Sequence, residues 1–154
     1  MILHPGDFYK QLPREIDYTS ALIFLFACSI LFSILGSLYI TQQKIFFALI
    51  YLINAFFMPF IMAFFLYLVT FLLCKDVFTY RTLFGITAYA NVTLLFSWIP
   101  VLSWIAGIWK FYLIGLGMVK VGNIKGSRAF MAILAAAAML LILLQLSQPI
   151  IRNL

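Results

Sequence analysis

Residues 98–130 read WIPVLSWIAGIWKFYLIGLGMVKVGNIKGSRAF. Trp98 and Trp104 bracket Pro100, an apolar run with a single cation, Lys110, follows, and a short connector then carries Lys120, Lys125 and Arg128. Tryptophan favours the membrane–water interface and proline interrupts a helix, so the tryptophan-flanked proline predicts a turn at one membrane face. The basic connector, about 20 residues further on, predicts the return at the opposite face.

The rest of the chain fits that reading. Hydrophobic residues make up 66% of the 154 residues and charged residues 9%, against about 25% charged in a soluble domain. A soluble domain of this size has too little interior for so much apolar surface. One membrane domain, residues 1–154, is the expectation. The net charge of +6 sits at the ends of apolar runs. That pattern indicates topology and anionic lipid, and it excludes a phosphate-neutralising nucleic-acid surface. Cys28 and Cys74 form no CxxC pair, so neither a disulfide framework nor a metal site is expected. The first apolar run is too long for a signal peptide and should remain as a span.

Five spans are predicted, at about 18–40, 45–74, 82–98, 101–119 and 129–146. In the first, Ser29, Ser33, Gly36 and Ser37 form a small-residue stripe suited to close helix packing, and the last carries an alanine run, 135–138. The second is too long for a straight crossing, and Pro59 in its middle predicts a kink. A four-span alternative, with 82–109 as one helix, leaves 111–119 too short to cross and puts the last basic loop on the wrong face. With five spans, Lys10, Arg14, Lys75, Arg81, Lys120, Lys125 and Arg128 share one face, Lys44 and Arg152 the other, and Lys110 lies in the membrane. The positive-inside rule then puts the N-terminus in the cytoplasm and the C-terminus outside. Before the first span, Phe8, Leu12 and Ile16 recur at helical spacing. They predict an amphipathic interfacial helix opened by Pro5 and bent by Pro13.

Chemistry-bearing groups are few. All four acids (Asp7, Glu15, Asp17, Asp76) and His4 lie outside the spans. There is no intramembrane carboxylate pair, proton relay or nucleotide-binding loop, so no enzyme activity and no cofactor are expected. Lys110 is the one intramembrane ionisable group. It is either a structural lysine that snorkels or hydrogen-bonds, or a site for an anionic head group or a partner's acid. Asn54, Asn91 and backbone carbonyls near Pro59 are the candidate polar neighbours. Lys120, Lys125, Arg128, Lys75 and Arg81 are the candidate cytoplasmic contacts for acidic lipid or a partner.

Taken with His4-Pro5, Ala88-Tyr89-Ala90, the Pro100 turn, Trp109, Tyr112-Leu113, Gly115, Gly117 and the segment 120–129, the chain resembles the Ypt/Rab-interacting (Yip) family of five-helix membrane proteins, in its short prokaryotic form. The resemblance implies an all-α bundle of five transmembrane helices in a prokaryotic plasma (inner) membrane. Where many relatives carry a proline after the tyrosine, this chain has Val92-Thr93. Eukaryotic relatives act in vesicle traffic and bind Rab-type GTPases through a long polar N-terminal region. That region is absent here, so GTPase binding is not carried over. Two functions are open. The first is a non-enzymatic scaffold or adaptor in membrane organisation or trafficking, assembling with itself or with another membrane protein. The second is a lipid- or small-solute-handling protein or transporter component that uses the polar site around Lys110.

Overall fold

Backbone amides have no water to bond to in hydrocarbon, so long apolar segments satisfy them internally as helices. The computed structural model describes residues 5–11, 17–38, 44–74, 77–97 and 99–152. Its elements are α1 (Pro5–Gln11), α2 (Tyr18–Ser37), α3 (Lys44–Cys74), α4 (Tyr80–Ala90) continued by a 3-10 segment (Asn91–Leu95), α5 (Pro100–Gly122) and α6 (Gly126–Arg152). No strand occurs among the described residues.

Local chemistry sets the helix ends. Asp17 caps α2, its carboxylate accepting from Thr19 N at 3.3 Å and Ser20 N at 3.1 Å. Thr79 caps α4, with Oγ1 accepting from Thr82 N at 3.4 Å. Pro100 opens α5 in the first turn, where its missing N–H leaves no bond unmade. Asn123, at φ 50°, closes α5 in the left-handed conformation that asparagine tolerates.

Three helical stretches, Tyr18–Ser37, Ile45–Leu73 and Val101–Gly122, are long and apolar enough to cross a membrane, and a shorter apolar stretch, Gly126–Ile142, lies within α6. The third predicted span is where the structure departs most from the sequence reading. Instead of one helix over 82–98, an 11-residue α4 gives way at Asn91 to the tighter 3-10 form, and Trp98 lies outside the described residues. The reason is burial. Every residue from Thr82 to Ala88 is buried, and so are Ala90, Asn91, Val92 and Thr93. A helix enclosed by protein on all sides does not need the apolar surface that lipid contact demands.

The bundle is arranged around α4. Helix α3 packs against α2, α4 and α6, while α5 packs against α1, α4, the 3-10 segment and α6. Phe84 of α4 lies 4.5 Å from Phe60 of α3 and 4.9 Å from Tyr18 of α2, ring centre to ring centre. The small-residue stripe of α2 is used inside the molecule. Ser33 Oγ donates to Ala48 O of α3 at 2.6 Å, and Gly36 leaves room for the Tyr51 ring.

Helix α1 docks on the bundle. Leu12 and Ile16 of the expected stripe lie outside the described residues; the residue buried is Tyr9, beside half-buried Phe8. A Cβ at Gly117 would lie 2.6 Å from Ile86 Cγ2 and 3.0 Å from Tyr9 Cε1, so α1, α4 and α5 meet at a point that admits no side chain. Gly122 is likewise closed off by the ring of Phe78. That contact sets the approach to α4 beside the end of α5.

Candidate functional site

Proline has no amide hydrogen, so Pro59 leaves the carbonyl four residues before it, that of Ala55, without its helical donor. Helix α3 nevertheless runs from Lys44 to Cys74 through Pro59. The missing donor comes from α4's continuation: Asn91 Nδ2 donates to Ala55 O at 3.4 Å. One turn earlier on the same face, Thr87 Oγ1 lies 2.9 Å from Phe84 O and 3.0 Å from Leu83 O, its better acceptors, and 3.5 Å from Pro59 O. Thr87 and Asn91 are fully buried, and Pro59 is buried between them. The amide thus substitutes for a backbone bond in a place without water. Asn91 Oδ1 is buried without a partner among the described residues.

Of the four residues predicted to form an intramembrane polar site, the structure brings Asn91 and Pro59 together and sets the other two apart. Asn54 is exposed on the outer side of α3 and makes no hydrogen bond among the described residues. Lys110 is half-buried on α5, at helical spacing from the buried Ala106, Leu113, Ile114 and Gly117. No described residue gives its ammonium a hydrogen bond or an ion pair.

Lys120, Lys125 and Arg128 are exposed around the α5–α6 connection, and Arg81 is exposed in the first turn of α4. The contact of Phe78 with Gly122 puts these two regions at the same end of the bundle. Lys75 lies outside the described residues. No group of three or more His, Cys, Asp or Glu residues able to hold a metal occurs among the described residues.

Two apolar clefts border α5. One, of about 220 Å³, lies at the Pro100 end against the 3-10 segment, lined by Val92, Phe96, Ile105, Ala106 and Trp109. The other, of about 450 Å³, lies between α5 and α6 toward the basic connector. Lys110 lines neither.

Sequence reading did not single out Thr87 or Tyr9. Thr87 had a usable signal, its position four residues before Asn91 on one helical face. Tyr9 had none, because tyrosine on a short N-terminal helix reads as an interfacial residue.

Membrane-length apolar helices around a buried short helix define an integral, helical membrane protein. The Yip1 domain family matches residues 1–147, and the chain belongs to that family. No curated protein and no solved structure matches the chain.

Proposed function

We propose that this protein is a non-enzymatic membrane scaffold or adaptor in membrane organisation or trafficking. It crosses the membrane five times, through α2, α3, α4 with its 3-10 segment, α5 and α6. The N-terminus and α1 lie at the cytoplasmic face of a prokaryotic plasma membrane, and the C-terminus lies outside. The shared end of Arg81, Lys120, Lys125 and Arg128 supports this orientation.

The observation that carries the scaffold reading is Asn54. Ser33 and Gly36 of the α2 stripe already meet α3, so association needs another face. On α3, Ile50, Ile53, Asn54, Phe57, Ile61 and Phe64 are all exposed at helical spacing. A primary amide both donates and accepts, so the same helix of a second copy is its natural complement, and an unpaired amide in hydrocarbon is unfavourable. Cross-linking in native membranes tests this. Asn54→Leu should abolish the dimer and Asn54→Gln should preserve it; equal dimer in wild type and Asn54→Leu would end the proposal.

A second reading, handling of lipid or solute at Lys110, draws support from a half-buried lysine with no bonded partner. It is the weaker of the two, because neither cleft reaches that residue. Lys110→Met keeps the stem and removes the charge. Under the scaffold reading, this variant keeps its stability and every co-purifying lipid and protein. Loss of a bound anionic species from a normally folded variant would favour the second reading instead.

A further inference from the structure

The two clefts beside α5 differ in one respect that matters for binding. The one at the Pro100 end lies in a part of the chain with no charged residue from Thr82 to Trp109. The larger cleft is lined by Tyr112, Gly115 and Val119 of α5 and by Gly126, Ala129 and Ile133 of α6. No cation lines it, but three are next in sequence to residues that do: Lys120 follows Val119, Lys125 precedes Gly126 and Arg128 precedes Ala129. All three are exposed, and none forms an ion pair among the described residues. The sequence has no Asp or Glu after Asp76, so nothing on either helix neutralises them. Helix α6 also opens without an acidic residue in its first turn, so its dipole adds to the local positive potential. An apolar trough bordered at one end by three exposed cations has the charge and polarity of the inverse of a phospholipid.

We propose that the cleft between α5 and α6 holds one anionic glycerophospholipid of the surrounding bilayer. An acyl chain lies along Tyr112, Gly115, Val119 and Ile133, and the phosphate sits among Lys120, Lys125 and Arg128. The site rests on α5 and α6 both crossing the membrane, as the proposed function has it. It gives the cytoplasmic basic face a defined ligand in place of diffuse attraction. The cleft at the Pro100 end, equally apolar and without cations, is left to lipid of any head group.

The test uses the full chain in nanodiscs of equal phosphatidylglycerol and phosphatidylcholine, released into mild detergent and weighed by native mass spectrometry. The wild type should retain one phosphatidylglycerol in preference to phosphatidylcholine. Replacing Lys120, Lys125 and Arg128 by Gln should lower that preference by about fivefold per charge removed. Gly126→Leu should displace the lipid by filling the trough; a Cβ at this position meets no atom within 4 Å, so the substitution starts in open space. Phe130, which is 66% exposed, also lines the trough, and Phe130→Ala should weaken retention without destabilising the helix. Ile105→Ala, which alters the cleft at the Pro100 end and not the trough, should leave the preference unchanged. Equal retention of the two lipids by the wild type would overturn the site. So would an Ile105→Ala effect on the preference as large as that of a connector residue, or full retention by both Gly126→Leu and Phe130→Ala. Self-association through Asn54 is read separately by cross-linking, so the lipid site can fail while the scaffold stands.

Discussion

Asn91 does the work of an amide that α3 lacks, and this exchange has a measurable signature. Asn91→Leu should destabilise the protein by about 1 kcal/mol in thermal unfolding in detergent, the usual size of a buried interhelical polar bond in a membrane protein. In a Pro59→Ala background the restored N–H satisfies Ala55 O, and the same substitution should then have almost no effect. An equal loss in both backgrounds would show that Asn91 acts through packing alone. Tyr9 makes a second prediction. Its hydroxyl is buried with no bonded partner among the described residues, and burial pushes the phenol well above its ordinary range. A group with a raised folded pKa holds its stabilising contribution below its unfolded value and loses it as pH rises. The docking of α1 should therefore weaken above about pH 10, where an unfolded tyrosine ionises. Tyr9→Phe should be neutral or slightly stabilising at pH 7 and should remove this alkaline component, followed by fluorescence of a label on α1.

At the scale of elements, the start of α2 depends on one carboxylate. Asp17 accepts from the Ser20 hydroxyl at 2.6 Å and from the amides of Ser20 and Thr19. These bonds hold its carboxyl below the usual carboxylate value, the Ser20 hydroxyl contributing most. With a lowered folded pKa, the cap is at full strength above the unfolded value, about 3.9, and is lost as pH falls through the folded one. Protection of the first-turn amides of α2, taken against the intrinsic exchange rate at each pH, should fall in that acid window in the wild type. Asp17→Ala should show little protection at every pH, and Asp17→Asn should keep its protection through this range. The three membrane-length helices could be read in the sequence because lipid contact requires a long apolar run, unbroken by charge in α2 and from Ile45 to Leu73 of α3. The short helix α4 could not be placed in the same way. Its boundaries depend on Thr79 and on the switch to 3-10 form at Asn91, and its enclosure depends on Phe60 and Tyr18 arriving from α3 and α2. The same holds for the candidate site. Pro59 and Asn91 stood out as residue types, but that they meet, and that Asn54 turns outward, follows from helix rotation, which spacing does not encode.

For the whole molecule, the charge distribution makes the orientation testable. A reporter active only in the cytoplasm should work at the N-terminus and fail at the C-terminus. A cysteine placed at Asn123, in the α5–α6 connection, should be labelled only from the cytoplasmic side. Labelling from outside would reverse the proposed arrangement. If the orientation is set by charge, neutralising Lys120, Lys125 and Arg128 together should produce a mixed population, because these are three of the seven cations assigned to the inner face.

The enclosure of α4 bears on how the chain is made. A segment whose neighbours shield it on every side is least suited to entering lipid by itself, yet it is synthesised before one of those neighbours, α5, exists. As it leaves the ribosome, α1, α2 and α3 are the elements already made. The Ala55 carbonyl and the Phe60 ring of α3 are then the first holds it can take. The fourth helix is therefore a lodger before it is a wall. It stays provisional until Gly117 closes on Ile86, and the insertion machinery must tolerate that delay.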